Sequence, residues 1–168
     1  MRRGRGALPV PPPDGRTLFP SSTSLFVDSP ICPSIHRACH LGCGTSTLGI
    51  ELLSQAYATH VINVDNSETA ISHMDATHGS SDDQSWVVAD ATELSPLATA
   101  SFDLCLEKGT MDALVSGDYD DGKDRALVMA HEMHRLLKVG GKLVQIADEP
   151  PGILGRNAAH TPRLRAVL

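Results

Sequence analysis

His40-Leu41-Gly42-Cys43-Gly44-Thr45-Ser46 is a short glycine-rich turn. It stands between an extended segment and an amphipathic run, Leu48 to Tyr57. Gly42 and Gly44 have no Cβ, so the backbone can turn sharply there and a ligand can lie against it. The helix expected next turns its free N–H groups and positive dipole end toward whatever occupies the turn. An acid, Asp65, ends the next apolar strand, about 20 residues on. Together these make the outline of a nucleoside-binding βαβ unit.

The same alternation continues outward from the turn. His60–Asp65, Ser85–Asp90, Ser101–Leu106 and Lys142–Ala147 read as short buried strands. Between them, Ser67 can cap a helix that faces inward through Ala70, Ile71 and Met74. Met111–Leu114 reads as a helical turn. The longest helix is expected over Asp124–Lys138, with Leu127, Val128, Met133, Leu136 and Leu137 buried and Gly140-Gly141 as its stop. Strands alternating with helices give an α/β fold, a Rossmann-like doubly wound parallel sheet of about five strands. The weak member is the first strand. Ser34 to His40 carries two histidines and an arginine where a central parallel strand is normally a Val/Ile/Leu run.

The chain has 168 residues, 41% hydrophobic and 20% charged, which suits one domain with a modest core. A net charge of −6 argues against a nucleic-acid partner, and no apolar run is long enough for a membrane helix. Cys32, Cys39, Cys43 and Cys105 show no CxxC spacing, so neither disulfides nor a metal site is expected. Residues 1–34 are basic, proline-rich and nearly free of acids, which reads as a disordered or transit-peptide-like segment. Residues 35–150 form the expected domain, and 151–168 an irregular tail.

In an open α/β sheet, ligands bind outside the carboxyl ends of the strands. Asp65, there, can accept both hydroxyls of a ribose, and Asp90 an adenine amino hydrogen. Each also suits a plain turn or helix-cap acid, and Asp65-Asn66-Ser67 fits that description. A dinucleotide loop would carry a third glycine where this chain has Thr47, and no lysine follows to make a P-loop. A nucleoside without a pyrophosphate fits better, and S-adenosylmethionine is one.

Taken with Leu41–Ser46, four segments carry a specific resemblance: Val64–Ser67, Asp90-Ala91-Thr92, Phe102–Leu114 and Leu136–Leu143. The chain resembles the seven-strand S-adenosylmethionine-dependent methyltransferases. Its Glu107-Lys108-Gly109-Thr110-Met111-Asp112-Ala113 segment is similar to one subgroup, the protein-lysine methyltransferases of citrate synthase and of elongation factor 1-alpha. Gln145–Pro150 is more similar to the citrate synthase enzyme. The resemblance implies that Gly42, Cys43 and Gly44 hold the methionine moiety, Asp65 and Asn66 the ribose, and Asp90 and Ala91 the adenine. It implies that Glu107, Lys108 and Thr110 line the pocket floor near the sulfonium, where Glu107 or Asp112 is placed to orient or deprotonate the target amine. Lys108 and Asp112 equally suit an ion pair bracing the turn.

Two departures stand out. The family carries an acid where this chain has His40, and it continues past the fifth strand into an antiparallel pair. A methyltransferase fold lacking its last two strands, C-terminally incomplete and with an open fifth-strand edge, is therefore expected, and with it a low-activity form. The expected function is lysine methylation of a protein substrate, citrate synthase or elongation factor 1-alpha, in mitochondria or alternatively the cytoplasm. The alternative is a non-catalytic module that binds a nucleoside or a partner.

Overall fold

The polar residues of the first strand sort by position. In the computed structural model, β1 spans Ile35–Leu41. His36 and Arg37 stay exposed near its start, while Ala38, Cys39, His40 and Leu41 are buried. Arg37 lies 5.4 Å from the Phe102 ring centroid, and the His36 and Arg37 amides donate to the Asp103 carboxylate. Of the polar residues of β1, only His40 is buried. The structure describes residues 35–116, 119–147 and 163–167. The expectations for residues 1–34 and 148–162 lie outside them.

The glycine turn leads into α1 (Leu48–Ser54), then β2 (Ala58–Asp65), α2 (Glu68–His78) and β3 (Gln84–Val88). A long connection precedes β4 (Phe102–Lys108), followed by α3 (Thr110–Val115), α4 (Tyr119–Leu136), β5 (Leu137–Ala147) and β6 (Arg163–Val167). The strand order is β3-β2-β1-β4-β5-β6. The first five strands run parallel, as the alternating pattern requires. The order reverses between β1 and β4, and such a reversal opens a crevice at the strands' carboxyl ends.

Both faces of the sheet are covered. Leu48 and Leu52 of α1 pack on Ala38, Val61, Leu104, Leu106 and Val144. On the other face Met129, Met133 and Leu136 of α4 pack on Cys39, Leu41, Val64 and Cys105.

Three expectations change. The buried stripe of α4 is Ala126, Met129, Met133 and Leu136, whereas Leu127 and Val128 are exposed. An apolar helix face is a matter of angle, and these four positions hold one side of a 3.6-residue period better than the expected set. Gly140-Gly141 does not stop the helix, which ends at Leu136 and passes straight into β5. The glycines absorb a register shift instead, with Gly140 at φ +80°. Finally, the tail expected to be irregular supplies β6, antiparallel to β5 from Leu143↔Val167 to Ala147↔Arg163. Its Arg-Leu-Arg-Ala-Val sequence has the alternation of a strand, and it pairs the backbone groups of the edge expected to be open.

His40 is fully buried, with Nδ1 3.3 Å from Asn63 Oδ1 and Nε2 without a partner among the described residues. An Asn63 amide oxygen can only accept, which puts the imidazole proton on Nδ1. Burial lowers the His40 pKa from 6.5 to about 4. The unfolded chain takes up a proton there near pH 6.5, the native chain only near pH 4, so stability falls as the pH drops through that window. Buried Glu107, whose pKa is raised, acts in the opposite sense, so the contribution is read by difference. Between pH 7 and pH 4, the wild type should lose about 3 kcal/mol more unfolding free energy than His40→Gln. Urea unfolding at both pH values measures this, and parallel losses in the two proteins would refute it.

Candidate functional site

The turn expected to cradle a ligand is built by contacts to the far side of the sheet reversal. Gly42 has φ +59°, and a Cβ there would lie 1.9 Å from Thr110 Oγ1. Thr110 sits at the first position of α3 and donates its hydroxyl to the Leu41 carbonyl at 3.1 Å. The missing side chain of Gly42 is therefore space occupied by Thr110. Gly109 allows this approach, since it turns the chain into α3 at φ +74°.

Glu107 fixes the same corner from below. It is 1% exposed, and its Oε2 accepts from the Thr110 and Met111 amides at 2.9 and 3.2 Å. These are free N–H groups at the start of a helix. Oε1 is buried without a hydrogen-bond partner among the described residues. Burial raises the Glu107 pKa, although the two amides and the nearby Gln145 side chain favour the charged form.

Asp65 ties the turn to α2. One carboxylate oxygen accepts from the Gly44 amide at 2.7 Å and the other from the Ser67 amide at 2.8 Å. Ser67 in turn caps α2 by accepting from the Ala70 amide. The helix-cap and ligand readings of Asp65 are thus compatible, because each oxygen keeps one acceptor site. Asp90 lies two residues beyond β3. Its Oδ1 accepts from the Thr92 amide and hydroxyl at 2.8 and 2.7 Å, and its Oδ2 from Arg125 at 3.0 Å. The Thr92 donors, reinforced by Arg125, hold the Asp90 carboxyl below the usual carboxylate range.

A cavity of about 360 Å³ opens between these parts. Gly42, Asp65, Asn66, Asp90, Ala91 and Lys108 line it, and all six are residues marked in the sequence. Cys43, Gly44, Glu107 and Asp112 do not line it. Cys43 is buried and donates its amide to the Val64 carbonyl, while Gly44 braces Asp65. Glu107 is buried beside the cavity and positions Thr110, because its Oε2 accepts from the first two amides of α3. Thr110, also marked in the sequence, lines it with Ala89, Gly109, Ala113, Leu114 and Arg125. Arg125 was not marked in the sequence, where nothing ties a residue of α4 to an acid 35 positions earlier.

The family described as "Methyltransferase domain" matches residues 39–145. The chain belongs to that family. S-adenosylmethionine is the cofactor that goes with this membership. The chain is similar to human mitochondrial citrate synthase-lysine N-methyltransferase, 33% identical over 70% of this chain and 53% of that protein. It is also similar to mouse EEF1A lysine methyltransferase 4, 29% identical over 84% of this chain and 56% of that protein. The fold matches the TehB-like SAM-dependent methyltransferase from Corynebacterium glutamicum with a TM-score of 0.57 at 22% identity, over 79% of this chain and 65% of that one. The chain spans about half the length of the curated relatives it matches.

The cavity suits this cofactor. Its volume falls within the ordinary range for small-molecule sites. Carboxylates stand ready for hydroxyl and amino donors, and Lys108 offers a cation for a carboxylate. A Cβ at Gly44 would meet nothing within 4 Å, so open space lies before that part of the loop.

The two loop glycines should respond differently to substitution. Gly42→Ala meets both a positive φ and the stiff, β-branched Thr110, and should lose more than ~2 kcal/mol together with cofactor binding. Gly44→Ala meets only a positive φ and should lose about 1 kcal/mol. Equal destabilisation in chemical denaturation would contradict the packing of Thr110 into the Gly42 space.

Proposed function

We propose that this chain binds S-adenosylmethionine in the cavity at the sheet reversal and methylates a lysine side chain of a protein. The observation that carries the reading is the meeting of Gly42, Asp65, Asp90 and Lys108 around one cavity. In this reading Asp65 and Asn66 bind the ribose, Asp90 and Ala91 the adenine, and the Gly42–Gly44 turn the methionine moiety. Bound there, the cofactor supplies a methyl group on a cationic sulfur. The work left to the chain is alignment of the acceptor amine at close range. The amine must be neutral to react, and low-dielectric surroundings favour that form. Glu107 acts by holding Thr110 and Met111 at the start of α3, Lys108 lines the cavity, and Asp112 stands in the first turn of α3. His40, neutral and buried, brings no negative charge to the position where the family carries an acid, so cofactor affinity is expected to be modest.

The substrate class follows from the relatives. One is named for citrate synthase and another for EEF1A, and both names specify lysine methylation. We favour citrate synthase and a mitochondrial location, with elongation factor 1-alpha and the cytoplasm as the alternative. The neutral His40 favours a second reading, a module that binds the nucleoside without transferring a methyl group. Transfer of label from cofactor to purified citrate synthase and elongation factor 1-alpha distinguishes these readings. Label on a lysine of citrate synthase is the expected result. Label on neither, alongside intact cofactor binding, would favour the second reading.

Asp65→Ala should weaken cofactor binding roughly tenfold to a hundredfold, because two charge-assisted contacts to ribose hydroxyls and the brace on Gly44 are lost together. Isothermal titration measures the change. Unaltered affinity would remove Asp65 from the site.

A further inference from the structure

Among the described residues, Arg125 is the one residue of α4 on the cavity wall, and it meets the acid read as the adenine acceptor. Each carboxylate oxygen has two acceptor positions. Both positions of Asp90 Oδ1 are filled, by the Thr92 amide and hydroxyl. Asp90 Oδ2 takes one donor, the Arg125 guanidinium at 3.0 Å. Among the described residues, one acceptor position therefore remains on this side chain, on the oxygen that Arg125 holds.

The ion pair has no evident structural purpose. Its side chains are 42% and 43% exposed, and pairs so open to water add little to stability. The connection between β3 and β4 is fastened to α4 by other groups. Glu132 accepts from the Leu94 amide, and Arg135 donates to the Leu94 and Leu97 carbonyls and the Thr99 hydroxyl. The loop keeps these fastenings without Arg125. What Arg125 adds is the orientation of one carboxylate at the edge of the cavity.

We propose that Arg125 is a positioning residue for base recognition, holding Asp90 so that the remaining acceptor position of Oδ2 meets the amino group of the cofactor's adenine. This rests on the reading of Asp90 as the adenine acceptor. A carboxylate held in this way favours a base with an exocyclic amino group over one with a carbonyl at the same place, where two oxygens would face each other. A site built to hydrogen-bond one donor discriminates more strongly than an apolar pocket.

Calorimetric titration with S-adenosylhomocysteine and its hypoxanthine counterpart tests this in the wild type, Arg125→Ala, Arg125→Lys and Arg135→Lys. The wild type should prefer the adenine ligand by at least tenfold. Arg125→Ala should lose about tenfold for the adenine ligand and little for the other, so the preference collapses. Arg125→Lys should recover most of it, and Arg135→Lys, which loosens the same loop, should weaken both ligands alike. The melting temperature of Arg125→Ala should stay close to that of the wild type. An unchanged preference in Arg125→Ala, or a parallel loss for both ligands, would overturn the role of Arg125. Wild type that binds both ligands equally would overturn the base-recognition role while leaving cofactor binding intact. Wild type that binds neither would overturn the cofactor reading and this one with it.

Discussion

The space left by the absent side chain of Gly42 holds the site together. Thr110 fills it, bonds the Leu41 carbonyl, and so locks the end of β1 to the start of α3. Glu107 secures the other side by accepting from the Thr110 and Met111 amides. The turn after β1 and the corner after β4 are therefore one unit, although the segments are about 65 residues apart in sequence. A cavity at a sheet reversal needs this kind of cross-link. The strands diverge there, and without a fixed corner the carboxylates at their ends would have no common frame. Asp65 extends the unit to α2 through the Gly44 and Ser67 amides. The walls of the cavity are thus set by three side chains, Asp65, Glu107 and Thr110, that hydrogen-bond to backbone groups of neighbouring segments.

The charges on those walls are mixed. Asp65, Asp90, Lys108 and Arg125 all line the cavity, with Arg125 paired to Asp90. Such an arrangement suits a ligand that carries both hydroxyl or amino donors and a carboxylate. It suits a polyphosphate poorly, since the two carboxylates offset Lys108 and Arg125 and leave no net positive charge to hold one. The same conclusion comes independently from the loop, where Thr47 takes the place of a third glycine. Loop chemistry and wall chemistry agree on a nucleoside without a pyrophosphate, and agreement across levels is stronger than either signal alone.

The parallel sheet and most of the cavity were legible because they depend on short-range patterns. The glycine turn, the strands ending in acids and the Glu107–Ala113 segment all declare themselves within a few residues. Orientation around a helix axis was not legible in the same way. Leu127 and Val128 are apolar, yet they point to solvent, and the helix buries Ala126 and Met129 instead. Helix position is fixed by the sum of its packing, and two apolar residues can lose to four better-spaced ones. Arg125 escaped notice for a related reason. Its meaning lies in a contact with Asp90 that depends on where the whole helix sits. Gly140-Gly141 misled because glycine pairs mark helix ends and strand irregularities equally well, and here a register shift between β4 and β5 uses them. The alternating Arg163–Val167 segment was short enough to pass for tail, and only the unpaired edge of β5 gives it a partner.

His40 and Glu107 show where the fold bears its cost. Each leaves one buried polar atom without a partner among the described residues, and such groups typically cost about 1–3 kcal/mol. They do so within a few residues of one corner, His40 opposite Leu106 and Leu41 opposite Glu107 in the same strand pair. The rest of the sheet compensates. Leu41, Leu104, Leu106 and Val144 are fully buried around them, and each such side chain contributes roughly 1.5–3 kcal/mol by leaving water. An apolar pair at positions 40 and 107 would pack without that penalty, but it would also remove the carboxylate that holds Thr110 against Gly42. Glu107 therefore exchanges stability for the shape of the corner, and the corner is what the cavity is made from. His40 has a different standing. Its Nδ1 is satisfied by Asn63, against which Gly49 of α1 packs so closely that a Cβ would lie 2.1 Å from Oδ1. The histidine thus belongs to the packing of α1 on the sheet, on the face opposite the α4 core.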